Sequence, residues 1–248
     1  MKLSSTAFAA FLTERWQAKD GYIMGAIGEN PRIWKTSDWR IAQYENREKY
    51  TEKQYEKALY WWKHAERVWD CQGLADGYVT DNAGLGKVNV KAKNNYADWC
   101  SPKGVGLIPA EYRMPGAAVF WGDAASSIHH VAFLAEPVEA GKTSGDWYLI
   151  EARGVNYGVV RTKLSERNPD FWGLMTKYFE YASDSNYTVT GNSVWLWSAP
   201  PECGGKKVKT VHRGDSLEKA KVGTYQPVMT ENGLHWVNQK YLEVNANG

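Results

Sequence analysis

The chain has 248 residues, 43% of them hydrophobic and 23% charged, enough for one large domain or a medium one with a small companion. Its 30 Lys and Arg nearly cancel 28 Asp and Glu, which excludes the strong positive field of a nucleic-acid or membrane-surface binder. Thirteen Trp and fifteen Tyr are an excess that suits a core but also stacking on sugar rings or flat ligands.

Three cysteines, Cys71, Cys100 and Cys203, cannot all pair internally, and no CxxC occurs. Neither a disulfide scaffold nor a thiol-rich zinc site is indicated, so a reducing compartment and at least one free thiol are expected. Near the N-terminus, Thr13, Glu14 and Arg15 interrupt Phe8, Phe11 and Leu12 too early for the apolar region of a signal peptide. No run of about 18 apolar residues appears, so no membrane span is expected.

Ser5 is placed to cap a helix carrying Phe8, Phe11, Leu12 and Trp16 at helical spacing, ending near Asp20-Gly21. Tyr22 to Gly25 and a loop to Pro31 follow. A helical region is expected from about Ser37 to Val68. In its second half Thr51 and Gln54 form a capping box, and Tyr55, Ala58, Leu59, Trp62, Ala65 and Trp69 share a face. Cys71 comes next, and a helix through Leu74, Ala75, Tyr78 and Val79 should end at Gly84-Leu85-Gly86. From Lys87 to Tyr112 the pattern is mixed, with Gly104 and Gly106 as breakers. Strand patterns then run through 117–121, 130–134, 147–152 and 158–162. Helices first and a meandering sheet after them is an α+β order. Around Ser183 to Asn186 the chain turns polar, a domain boundary. The short strand-like runs beyond it (187–190, 194–197, 208–211, 225–229 and 235–237) suggest a small all-β barrel.

At a helix start the sulfur of Cys71 would lie at the positive end of the macrodipole, which favours the reactive thiolate. Taken alone, a cysteine is more often a buried core thiol. Cys100 precedes Ser101-Pro102 in a loop with no helix to activate it, and Cys203 lies in a Pro- and Gly-rich turn. Among the histidines, His64, His212 and His235 read as surface or structural. His130 begins a strand on the same face as Ala132, whose small side chain leaves room beside an imidazole, while His129 points the other way. Glu151, between Ile150 and Ala152 on the next strand, is costly to bury unless paired. Pairing with His130 would fix the tautomer a general base needs; the other reading is an edge-strand glutamate facing water. No metal site is expected, because His129-His130 lacks the i, i+4 spacing of a zinc helix, and no cofactor motif appears.

These elements, in this order, resemble the NlpC-type cysteine peptidases, a papain-like family that cleaves bacterial cell-wall peptides. Asp70-Cys71-Gln72-Gly73-Leu74 resembles the family's Asp-Cys-Ser-Gly-Leu motif, His130-Val131-Ala132-Phe133 its His-Val-Gly strand, and Met114 to Phe120 its Pro-Gly-Asp-Leu strand. Tyr22-Ile23-Met24-Gly25 resembles the Tyr-x-x-Gly segment that sets a tyrosine beside the nucleophile. The chain departs at Gln72 for Ser, at Ala117 for Asp, and at Glu151, where the family often has His, Asn or Gln. The long insert between Gly25 and Trp69 resembles versions in phage and prophage lysins. Val189 to Ser198, Val211 to Glu218, Trp236-Val237 and Tyr241-Leu242 resemble bacterial Src-homology-three-type domains, which often hold wall hydrolases on the wall.

The resemblance implies a papain-like catalytic domain over 1–183, its N-terminal helices packed on an antiparallel sheet, and a wall-binding barrel over 184–248. It implies a peptidoglycan hydrolase of the endolysin kind with Cys71 as nucleophile, His130 as base and Glu151 as orienting group. Tyr22 would assist the oxyanion and Asp70 would contact the amine end of the stem peptide. The expected target is a D-glutamyl–diaminopimelate-type bond, with an amidase cutting sugar from peptide as the close alternative. A non-catalytic wall-binding protein on a decayed peptidase fold, or a toxin acting on another amide, also remains open. Lacking an export signal, the protein is expected to be made in the cytoplasm and to reach the wall through phage-type lysis.

Overall fold

The computed structural model describes residues 2–35, 37–139 and 142–181, and beyond them the stretches 186–189, 193–197, 206–212, 216–218, 225–230, 233–238 and 242–244. A two-residue strand β1 (Leu3–Ser4) leads into α1 (Ser5–Gln17). The cap is Ser4, whose Oγ accepts the Ala7 N–H at 3.2 Å; Ser5, the expected cap, is the first helical residue and is buried. β2 (Gly21–Tyr22) follows.

The helical region expected over 37–68 is broken. α2 (Trp39–Ala42) gives way to a 3-10 turn, and the chain turns extended at Asn46, whose side chain accepts the Glu48 N–H and so competes with the helix ladder. α3 (Glu52–His64) carries the expected Thr51–Gln54 capping box. A short strand β3 (Val68–Trp69), not foreseen as one, pairs in parallel with β2. α4 (Gly73–Asn82) starts just after Cys71 and stops before Gly84 and Gly86, both at positive φ, as their spacing predicts. α5 (Ala92–Asn94) runs into a π turn at Asn95–Trp99.

The strands β4 (Lys103–Val105), β5 (Ala118–Trp121), β6 (His130–Pro137), β7 (Trp147–Ala152), β8 (Val159–Lys163) and, after the short α6 (Leu164–Arg167), β9 (Phe171–Gly173) form one antiparallel sheet. Its order is β4-β9-β5-β6-β7-β8. The expected four strands are there. β4 and β9 escape a periodicity reading because each has three residues and contains a glycine that reads as a breaker. Gly104 is demanded by packing, since a Cβ there would lie 2.7 Å from the Trp172 indole nitrogen. β10 (Phe179–Glu180) pairs with β1 and ties the end of this region to its start.

The sheet buries both faces. Val131, Phe133, Ile150 and Ala152 meet Phe8 and Leu12 of α1 and Leu74 and Val79 of α4. Val119, Ala132, Leu134 and Leu149 meet Ile108, Leu164, Trp172 and Leu174 on the other side. This alternation assigns every residue of β6 and β7 to a face, and with it the catalytic candidates.

The tail contains β11 (Asn186–Val189), β12 (Ser193–Trp197), β13 (Lys207–His212), β14 (Ser216–Glu218), β15 (Tyr225–Thr230), β16 (Gly233–Asn238) and β17 (Leu242–Val244). They make two sheets, β14-β11-β17 and β13-β12-β16-β15. The all-β character expected there is present, but the barrel is not closed among the described residues: no ladder joins the two sheets, so β13 and β15 remain edges. The boundary expected at 183/184 and Cys203 lie outside the described residues.

Candidate active site

Cys71 is set by backbone packing that only glycine allows. A Cβ on Gly73 would lie 2.0 Å from Ala26 O, and one on Gly77 would lie 2.3 Å from Ile27 O. Their absence lets the first turns of α4 rest directly on the 26–27 backbone. Asp70 locks that contact. Its N–H donates to Ala26 O at 2.8 Å, while its carboxylate accepts from Gly25 N (2.9 Å) and Gly73 N (2.6 Å). Gly25, at φ +84, gives the turn that follows Tyr22. The two motifs from distant parts of the chain are therefore one backbone unit, and each oxygen of Asp70 accepts one of its N–H groups. Burial pushes the Asp70 carboxyl up to about 6 against these N–H bonds, which pull it down.

From this unit Cys71 Sγ reaches the start of β6, where it makes a long contact of 4.0 Å with His129 O and meets the Val131 N–H. The thiol thus lies beside the backbone of His130. The thiolate expected from the helix start is not favoured: burial pushes the Cys71 thiol up to about 12 and the Asp70 charge adds to this, outweighing the N–H groups of Val131, Gln72 and Cys71. Burial thus favours the neutral form of the Cys71 thiol.

The histidines divide. His129 is exposed and lines the cleft, whereas His130 is bound to Glu151, Nε2 to Oε2 at 2.7 Å. Phe133 pairs with Ile150 and Leu134 with Leu149; one step further places Ala132 opposite Glu151. The imidazole therefore leans over the small Ala132 to reach Glu151 on the same face.

Glu151 is fully buried and accepts four donors: His130 Nε2 on Oε2, Thr162 Oγ1 on Oε1 (3.0 Å), and Arg167 with Nε on Oε1 (2.8 Å) and one terminal guanidinium nitrogen on Oε2 (3.0 Å). Burial alone would raise its pKa, but the hydrogen bonds and charges of His130 and Arg167 prevail and hold it at about 2. An ionised carboxylate only accepts, so His130 Nε2 carries the proton and Nδ1 is the basic nitrogen. The edge-strand reading of Glu151 is excluded.

Thr162, Arg167 and Trp121 are the residues that the sequence reading missed. Trp121 Nε1 donates to Arg167 O at 2.8 Å, its ring centroid is 5.2 Å from that of His130, and the Arg167 guanidinium lies 4.8 Å from it. A buried Glu demanding a cation was a usable signal, but several arginines were candidates.

Gln72, where the resembled motif has Ser, spends its side chain on inward hydrogen bonds. Its Nε2 donates to Asp76 Oδ1 (2.8 Å), its Oε1 accepts from Asn95 Nδ2 (2.9 Å), and Asp76 Oδ2 accepts the Val90 N–H (2.7 Å). Burial lifts Asp76 to about 7. This network anchors the segment 88–95, which forms one wall of the cleft.

That cleft has a volume of about 890 Å³. Tyr22, Asp70 and Cys71 lie on one side, Lys91 and Lys93 on another, and Ser126 to His129 on a third. Tyr22 is buried, which raises its hydroxyl's pKa, as does the nearby Cys71. Cys100 is a core thiol, pushed up to about 12 by burial and bonded to Asn95 Oδ1 at 3.4 Å. Among the described residues no group of His, Cys, Asp and Glu could hold a metal ion, and no helix is long and apolar enough to cross a membrane.

No protein-family model and no curated protein sequence matches the chain. Among solved structures, the NlpC/p60 domain of the peptidoglycan hydrolase SagA aligns with 70% of this chain and all of its own, at 16% identity and a TM-score of 0.39. Ly7917 aligns over 97% of both chains at 13% identity and a TM-score of 0.36. Its complex with the hydrolyzing product of MDP aligns over 96% and 97% at 13% identity and 0.34.

Proposed function

We propose that the protein is a peptidoglycan hydrolase of the NlpC type, a cysteine peptidase that cuts an amide bond of the stem peptide by thiol acyl transfer. The observation that carries this is the pairing of His130 with the buried, ionised Glu151 on β6 and β7, with the cleft-lining Cys71 thiol set against the backbone at the start of β6. His130 Nδ1 takes the thiol proton as Cys71 Sγ attacks the carbonyl carbon, then returns it to the leaving amine. The Cys71 N–H, with Tyr22, stabilises the oxyanion. Water then releases the acyl group by the same route. Because burial favours the neutral thiol, proton transfer belongs to the attack itself rather than to a preformed ion pair.

The cleft supports a peptide substrate bearing carboxylates. Lys91 and Lys93 put two positive charges on its wall, and the carboxylate there, Asp70, is turned to backbone N–H groups. A D-glutamyl–diaminopimelate-type bond fits this charge, and Asp70 retains lone pairs for the amine end of the peptide. The tail, in this reading, holds the enzyme on the wall, and the enzyme reaches it after phage-type lysis. Digestion of purified walls of defined chemotype, with mass spectrometry of the released fragments, tests the reading. Fragments with a new amine and carboxyl inside the stem peptide support it, whereas sugar separated intact from peptide would replace it with an amidase.

One observation favours a second reading. A Cys71 thiol held up to about 12 suits a non-catalytic wall-binding protein on a decayed peptidase fold. Labelling native and unfolded protein with a thiol-directed probe near neutral pH, with and without wall fragments, separates the two.

A further inference from the structure

We propose that Arg167 is a positioning residue of this site: its two-pronged grip on Glu151 presents one carboxylate oxygen to His130 Nε2 and balances the carboxylate's charge. The inference rests on the hydrolase reading above and deepens it.

The geometry is over-determined for a mere structural ion pair. Arg167 Nε and a terminal nitrogen take one carboxylate oxygen each (2.8 and 3.0 Å), the fork geometry that fixes both the plane and the rotation of the carboxylate. Thr162 Oγ1 takes a further site on Oε1, so the direction left on Oε2 is the one His130 occupies at 2.7 Å. Arg167 is itself fixed. It ends α6, Asn168 caps that helix in the left-handed region (φ 40), and Trp121 binds its carbonyl while lying against both its guanidinium and the imidazole. Asp170, two residues past the cap, accepts the Gly122 N–H at 3.0 Å and pins the turn to the end of β5.

The chemistry follows from the charges. The charged groups held with the imidazole are Glu151 from β7, bonded to it, and Arg167 from α6, bonded to Glu151; the Cys71 thiol lies against the backbone at the start of the strand, and His129 lies across the strand. An unbalanced Glu151 anion beside His130 would hold a proton on the imidazole and weaken it as a base at mildly acidic pH. Arg167 offsets that anion while leaving the hydrogen bond intact. It does not line the cleft, so its loss should act on turnover and not on substrate binding.

The test is Arg167→Met and Arg167→Lys in the full chain, with kcat and KM on soluble wall peptides across pH and circular dichroism as the fold check. Arg167→Met is expected to lower kcat at least tenfold, to leave KM within about twofold, and to move the acidic limb of kcat/KM upward by roughly one pH unit. Arg167→Lys, which keeps the charge without the fork, should leave the limb in place and lose kcat to a lesser degree. A folded Arg167→Met with the wild-type limb and kcat would overturn the proposal. If that variant does not fold, a wild-type kcat in Arg167→Lys overturns it instead. Titrating the His130 imidazole by NMR in wild type and variant reads the same effect without catalysis. A wild type that cleaves no wall would therefore fail the hydrolase reading, while an unmoved His130 midpoint would fail this one.

Discussion

Replacing Glu151 by Gln keeps the shape of the side chain and removes its charge, and the surroundings make the consequence calculable. Both carboxylate oxygens face an Arg167 donor, Nε on one and a terminal nitrogen on the other. Whichever way the new amide is turned, its NH2 meets an N–H, and the guanidinium, only 19% exposed, loses its counter-charge. Breaking a buried pair from one side costs about 3–5 kcal/mol, and partial exposure of Arg167 favours the lower end. Linkage gives a similar figure: a fall from the ordinary 4.5 to about 2, at about 1.36 kcal/mol per pH unit, is worth ~3 kcal/mol. The sign is that of a depressed carboxylate. The contribution is present above pH 4.5 and lost as pH falls toward 2. Denaturant unfolding of wild type and Glu151→Gln should therefore differ by about 3 kcal/mol at pH 7, with the gap narrowing steadily below pH 4.5. A gap below about 0.5 kcal/mol at pH 7, or one that stays constant down to pH 2, would refute the reasoning. Turnover should fall by about 100-fold at least, because orientation of the base is lost.

Three further expectations use other parts of the site. Gly73→Ala places a Cβ 2.0 Å from Ala26 O; it should cost about 1–3 kcal/mol in a melt and lower kcat by displacing Cys71. His130→Ala should lose about 100-fold or more in kcat and His129→Ala less than tenfold, measured side by side on soluble wall peptides. Lys91→Gln with Lys93→Gln should raise KM for a peptide with free carboxylates more than for its carboxamide form and leave kcat unchanged, and the difference should shrink as salt is added.

How much of this was legible in the sequence varies with the distance over which the causes act. Local causes were readable: the Thr51–Gln54 box, the helix after Cys71, and strands β5 to β8 follow from capping and alternation. The His130–Glu151 pair was readable because a strand period of two and the small Ala132 limit where an imidazole can go. Arg167 was not, since its role is decided by the turn after β8, which no period encodes; Thr162 sits on β8 itself, and only the register of β8 against β7 brings it to Glu151. The place of Gln72 was not legible for a similar reason: its neighbour in sequence is Cys71, but its partners are Asp76 on the next helical turn and Asn95 in a distant segment. The state of the thiol went the other way from the helix-start argument, because burial and the Asp70 charge exceed what the first N–H groups of α4 supply. The broken helix over 37–68 turned on the side chain of Asn46, a one-residue effect within a favourable pattern.

The central claim, that Cys71 attacks the wall peptide, is tested most directly by comparing wild type and Cys71→Ala on purified walls at equal concentration, with circular dichroism to confirm that both are folded. The account predicts that the wild type clears the suspension and releases stem-peptide fragments, while Cys71→Ala releases none. A folded Cys71→Ala that lyses walls at the wild-type rate would contradict it.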